Sequence, residues 1–222
     1  KHLNYPLGFI TPDFVNYLFA YIINMMAHKD FRIMDVTLKT GNLLFTISNF
    51  VNYECELIGI ENDELMLKIA RLSSEFLNTE LKIYYNKLLE DNYEQVDFIV
   101  GELDSKREND VFLPYAIINK YLSNLCEDAF FLFLVDNDFF SQKEIATFKK
   151  DFSGTLCGLI VLPEGLFRNN HVGKSILIGT KATLRQFEML VINFPDYNNR
   201  DEMKKMIDEI EKWIIKLKGM IK

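Results

Sequence analysis

Two stretches decide the fold: Ile33-Met34-Asp35-Val36-Thr37-Leu38-Lys39-Thr40-Gly41-Asn42-Leu43-Leu44 and Leu57-Ile58-Gly59-Ile60-Glu61-Asn62-Asp63. Each is an apolar run that ends in an acid and leads into residues at helical spacing, over 43–49 in the first case and 63–77 in the second. Continuous apolar strands, each followed by a helix, read as a parallel sheet buried on both faces. Gly41 and Glu61 lie 20 residues apart. That is the spacing of a nucleotide pocket in which a glycine lets backbone approach the ligand and the acid accepts the ribose hydroxyls.

Outward from this pair the same alternation continues. Apolar runs over 81–85, 96–100 and 129–135 read as further strands, with a helix over 115–125 before the last of them. Runs over 155–162, 175–180 and 187–194 have only loops and turns between them, so antiparallel pairing is expected there. Thr11-Pro12-Asp13 opens a helix over 14–26, and residues 201–221 form an amphipathic helix carrying Trp213. The expected fold is α/β: a doubly wound, mostly parallel seven-stranded sheet with helices on both faces. Residues 1–195 are expected to form the main domain, with the helix of 196–222 packed on it. The chain begins at Lys1, and a segment preceding it is expected.

Ligands of such sheets bind beyond the carboxyl ends of the strands, which points to Asp35, Glu61, Glu102 and Asp136. Composition narrows the chemistry further. Of 222 residues 49% are apolar, enough for a two-faced core, yet no uncharged apolar stretch reaches the length of a membrane span. A formal charge of −7 excludes binding nucleic acid through a bulk positive field, leaving a local patch with Lys106, Arg107, Arg168 and Lys174 as candidates. Three scattered cysteines, Cys55, Cys126 and Cys157, read as reduced thiols of a cytoplasmic protein. Three histidines without ligand spacing give no metal site. Gly173-Lys174-Ser175 lacks the earlier glycine of a phosphate-binding loop, and Lys39-Thr40-Gly41 lacks its SxxK partner.

The order of the motifs resembles that of N6-adenine DNA methyltransferases, from about Tyr5 to Lys181. Tyr5-Pro6-Leu7-Gly8-Phe9-Ile10-Thr11-Pro12 resembles their opening motif. Asp35 to Leu44 is similar to their cofactor loop D-P-A-C-G-T-G-N-L-L, and the stretch ending in Glu61 to their second acidic motif. Asp97-Phe98-Ile99-Val100 leads into the slot where the family writes (N/D)-P-P-(Y/F). The stretches 129–140 and 162–178 resemble late motifs of the methylation subunits of type I restriction systems and their stand-alone Gram-positive relatives. The resemblance implies a Rossmann-like fold, S-adenosylmethionine as cofactor, and DNA or a partner protein as partner. It implies a cofactor site of Thr11, Pro12, Asp35, Thr37, Lys39, Gly41, Glu61 and Asn62, and a catalytic slot of Glu102, Leu103, Asp104 and Ser105.

The sequence departs from that family where the chemistry lies. Flipped adenine needs a carboxamide or carboxylate, a proline carbonyl and a stacking ring. Glu102-Leu103-Asp104-Ser105 has two acids, one of them at the first position of the slot, and neither proline nor ring, the next aromatic being Phe112, with Phe139 a further candidate. Lys39 replaces the first loop glycine, and Tyr85-Asn86-Lys87 ends the third strand where many relatives carry an aspartate. An ammonium at position 39 repels a sulfonium. These departures imply weak or lost methyl transfer. Two alternatives stay open: a degenerate fold that binds nucleic acid or protein, and a nucleotide-binding module for an unrelated ligand.

Overall fold

The computed structural model of the protein describes residues 11–85, 93–163, 166–167, 173–184, 187–195 and 198–221. Helix α1 (Asp13–Met26) begins after the extended Pro12, has acidic Asp13 in its first turn, and buries Val15, Leu18, Phe19, Ile22 and Ile23 at helical spacing. Then follow β1 (Phe31–Asp35), α2 (Asn42–Phe50), β2 (Cys55–Glu61), α3 (Glu64–Leu77) and β3 (Leu81–Tyr85). Asp63 caps α3 by accepting from Leu65 N and Met66 N, and Asn78 closes it in the left-handed region. The second half runs β4 (Val96–Leu103), a small hairpin β5 (Arg107–Glu108) and β6 (Val111–Phe112), then α4 (Leu113–Tyr121) and β7 (Leu125–Asp136). It ends with α5 (Ile145–Asp151), β8 (Thr155–Val161), β9 (Lys174–Thr180), β10 (Leu190–Asn193) and α6 (Arg200–Ile221).

The main sheet has the order β10-β8-β9-β7-β4-β1-β2-β3. The chain moves outward from β1 to β3 and returns to place β4 on the other side of β1, so the switch point lies between β1 and β4. Alternate residues of each strand serve the two faces. Ile33, Phe98 and Leu132 pack with α1, α2 and α6. Met34, Ile99 and Phe131 pack with α4 and α5. Trp213, Ile214 and Leu217 seat α6 on the first of these cores.

The doubly wound, mostly parallel sheet matches the sequence expectation, with two differences. There are eight strands rather than seven in the main sheet among the described residues, because every apolar run pairs. The antiparallel pairs are β7 with β9 and β8 with β9, whereas β10 joins β8 in parallel. The chain does reverse after β9, but it hops over β8 to reach the edge. Strand β7 also starts at Leu125 rather than residue 129, which shortens α4 to Tyr121.

β9 is wholly buried between two neighbours, and Gly179 leaves room there for the ring of Phe131: a Cβ at that position would lie 2.2 Å from the ring. Gly179→Ala is therefore expected to overpack the core and lower stability by about 1–3 kcal/mol, read as a lower midpoint in urea unfolding.

Candidate functional site

The acids that end the apolar runs stand together along the carboxyl edge of the sheet. Asp35 and Glu61 close β1 and β2, Glu102 is the penultimate residue of β4, and Asp136 closes β7. The β1–α2 loop is strung between the strands beside it. Val36 N donates to Val100 O at 3.0 Å on one side, and Leu38 N to Ile60 O at 3.0 Å on the other. Buried Asp35 turns the chain by accepting from Thr37 N at 2.9 Å. Gly41 adopts φ +78 at the start of α2, where a Cβ would lie 2.8 Å from the Phe45 ring.

Glu61 is the second support of this loop. One carboxylate oxygen accepts from Lys39 N at 2.7 Å, and the other accepts from Asn62 N and Asp63 N at 2.8 Å each. A carboxylate offers about four acceptor positions, so one remains for a ligand hydroxyl. Lys39 itself sits at φ +50, a conformation that costs a lysine about 1–2 kcal/mol relative to glycine. Its ammonium reaches across the loop to Glu102 Oε2, 2.5 Å away.

Glu102 is the hub of a wider network. The Oε2 atom also accepts from Thr11 Oγ1 at 3.2 Å, and Oε1 lies 3.1 Å from Lys174 Nζ. Lys174, the first residue of β9, has a side chain only 1% exposed, and its ammonium also meets Asp104 Oδ1 at 2.8 Å and Asp136 Oδ1 at 2.9 Å. Asp136 Oδ2 then accepts from Ser105 N at 2.7 Å, and Ser105 Oγ meets Asp138 Oδ1 at 2.5 Å. Burial opposes the charge on Lys174, but the carboxylates of Glu102 and Asp104 outweigh it and hold the ammonium above its ordinary pKa. Burial likewise opposes ionisation of Asp104, and Lys174 outweighs it, so this carboxyl titrates below its usual range. Asp35 is the exception. Burial pushes it up to about 7, against the hydrogen bonds of Thr37 and the charge of Lys39, and with help from Glu61.

A hollow of about 190 Å³ opens between these groups. Thr37, Lys39, Glu61, Asn62, Glu102, Leu103 and Asp104 all line it, so most of the predicted cofactor and catalytic residues converge. Thr11 reaches the hollow through Glu102, Pro12 starts α1 behind it, and Asp35 and Gly41 shape the loop. Ser105 faces Asp138 instead. Two of the four slot residues are not in a loop at all: Glu102 and Leu103 are laddered opposite Leu134 and Val135. The residues suit a nucleoside better than an amino-acid tail. Val36, Ile60, Leu103 and Ile117 supply apolar walls and Glu61 keeps one acceptor position, whereas the Lys39–Glu102 pair stands where a further charged group would enter. The volume also falls short of the roughly 300–1,000 Å³ of small-molecule clefts.

Several expectations do not hold. Lys174 is sealed within the carboxylates and out of reach of a phosphate backbone, and Arg107 is held by Glu144 at 2.7 and 2.9 Å. Lys106 remains exposed beside Asp104, and Arg168 lies outside the described residues. Phe112 and Phe139 pack edge-on against Tyr115 in the core, at 4.8 and 4.9 Å, so neither presents a face to a base. The stretches 5–10, 86–87 and 164–165 also lie outside the described residues. The role of Lys174 was the signal missed: a lone lysine opening an apolar strand, opposite Asp136 in register, is a buried counter-ion.

No protein-family model matches the chain. An uncharacterized protein of Bacillus subtilis, YtxK, is 26% identical over 242 residues, covering 98% of this chain and 74% of the relative. A Listeria monocytogenes structure assigned to the class I S-adenosylmethionine-dependent methyltransferases superposes with a TM-score of 0.83 at 23% identity, over 96% of this chain and 74% of that one. A type I restriction-modification methyltransferase subunit from Streptococcus thermophilus superposes with a TM-score of 0.72 at 14% identity, over 93% of this chain and 53% of that one. The chain has the class I methyltransferase fold.

Two outcomes follow from the charges. Lys174→Met leaves three neighbouring carboxylates without their shared cation and is expected to cost about 3–5 kcal/mol in urea unfolding at neutral pH. The folded state raises the pKa of Asp35, so it holds a proton that the unfolded chain has released between pH 4 and 7, and stability falls as pH rises through that window. Asp35→Asn can still accept from Thr37 N, and unfolding midpoints measured from pH 4 to 8 should lose that part of the slope.

Proposed function

We propose that the protein is an S-adenosylmethionine-binding member of the methyltransferase fold, of the N6-adenine DNA methyltransferase type, in which base methylation is weak or lost. The observation that supports this reading is the chain Lys39–Glu102–Lys174. It fills the acceptor slot with the protein's own ammonium groups and stands between that slot and the β1–α2 loop. In this reading Glu61 and the backbone around Asn62 hold the ribose, and Val36, Ile60 and Leu103 enclose the adenine. The cofactor would supply an electrophilic methyl group.

An adenine brought to the slot would meet carboxylates already engaged with lysines. Glu102 has Oε2 against Lys39 and Thr11 and Oε1 against Lys174, which leaves about one acceptor position, beside an ammonium, for an exocyclic amine. Among the described residues no aromatic side chain lines the hollow. DNA remains a partner only through other surfaces, since two of the basic candidates are tied up by acids and the chain is acidic overall.

Calorimetric titration with S-adenosylmethionine and its demethylated product tests the binding half. Glu61→Ala is expected to weaken either ligand by about 1–3 kcal/mol, and Lys39→Gly to strengthen the sulfonium form by removing both the repelling charge and the backbone strain. Tritiated methyl transfer to mixed genomic DNA and RNA tests the chemistry. Little or no incorporation is expected, even for Lys39→Gly, unless Asn-Pro-Pro-Tyr is also placed at 102–105. Robust transfer by the unaltered chain, abolished by Glu102→Ala, would show the slot to be functional as it stands.

A further inference from the structure

A hollow larger than the one at the acid edge lies elsewhere in the protein. It measures about 1230 Å³ and opens at the opposite end of the sheet, where the strands begin. Its floor is apolar and is laid by Phe31, Leu57, Leu81 and Phe98, each within the first three residues of its strand, by Phe130 beside Phe98, and by Ile221 in the last turn of α6. Its rim is acidic. Glu54, Glu56, Glu80 and Asp128 are exposed there, and among the described residues no basic side chain is paired with any of them. Of the cations on the rim, Lys82 is held by Glu94 and Lys218 donates to Met25 O, which leaves Lys29 and Arg32 against those four acids.

We infer that this hollow is a docking site for a cationic amphipathic helix of a partner protein. Size favours a chain segment over a small molecule. A helix about 10 Å across rising 1.5 Å per residue fills about 120 Å³ per residue, so the hollow takes about ten residues, or three turns. Small-molecule clefts are commonly smaller, about 300–1,000 Å³. The floor selects a helix over an extended segment. Here β1, β2, β4 and β7 are already paired on both sides, and of the floor strands only β3, which carries Leu81, lies at the edge of the sheet, so an added extended chain would find ladder partners along that edge and none over the rest of the apolar floor, whereas a helix satisfies its own backbone. The rim sets the sign of the partner: lysines or arginines flanking its apolar stripe would meet Glu54, Glu56, Glu80 and Asp128, which also steers the encounter. The site lies away from the acid edge, so it works whatever ligand that edge takes.

The test uses fluorescence anisotropy with labelled peptides of about 18 residues, long enough to hold a helix. A Leu/Lys peptide with leucines at helical spacing is titrated beside a scrambled peptide of the same composition and a Leu/Glu counterpart. The amphipathic Leu/Lys peptide is expected to saturate, with the other two at least about tenfold weaker. Two variants probe the two halves of the site. Glu54→Lys/Glu56→Lys/Glu80→Lys changes exposed residues only, and Leu81→Asp makes the edge of the floor polar; each is expected to weaken binding by at least about tenfold while the far-ultraviolet circular dichroism is unchanged. Equal binding of the scrambled peptide would reduce the effect to charge alone and overturn the inference. So would affinity that survives both variants, failure of the Leu/Lys peptide to bind, or a concentration-dependent dimer, lost in the triple variant, that covers the same floor.

Discussion

One buried ammonium organises the carboxyl edge of this sheet. Lys174 lies within 3.1 Å of carboxylates from β4, from the residue that follows it, and from β7. Without that cation the three acids would repel one another in a region screened from water, where Coulomb energies are several times those in solvent. With it, β4, β7 and β9 are tied at their tips and Glu102 is oriented to engage Lys39 and Thr11. The β1–α2 loop, the start of α1 and the end of β4 are thereby joined to one charge cluster. Such a cluster gives little net stability once desolvation is counted, yet is costly to break from one side. It fixes geometry more than it adds free energy.

The same cluster occupies the strand tips at which the class I fold opens its crevice. A parallel sheet with a switch point offers a crevice between β1 and β4 regardless of sequence. What enters that crevice depends on the side chains at the strand tips. Here the tips carry acids as expected, but their charges are met from within. Lys39 accepts a left-handed backbone to place its ammonium against Glu102, a strain that persists because Glu61 grips Lys39 N from the other side.

Much of this was legible in the sequence. The acids Asp35, Glu61, Glu102 and Asp136 were readable as strand ends because a buried apolar run has a sharp polar boundary, and all four stand at the edge of the sheet. Gly41 was readable because a left-handed turn favours glycine. What was not legible came from long-range pairing. Which strand a late run joins depends on which edge is vacant, so β10, expected in an antiparallel pair, instead lies parallel to β8. A lysine at a strand start looks like surface charge until register places it opposite Asp136. Phe112 and Phe139 read as available for stacking because the residue that buries both, Tyr115, lies 24 positions before Phe139.

The position of β9 has a consequence for how the chain assembles during synthesis. In the sheet it lies between β7 and β8, yet it leaves the ribosome after both. The nascent protein through β8 therefore lacks the strand that joins β8 to β7, with the apolar edges of both unpaired and three acids at the tips lacking their shared cation. Such a species is open to mispairing until the late strand inserts. Insertion completes two ladders and neutralises the acid edge in one step. Two acids that line the hollow over Glu61, Glu102 and Asp104, thus stay without their shared ammonium until Lys174 has emerged.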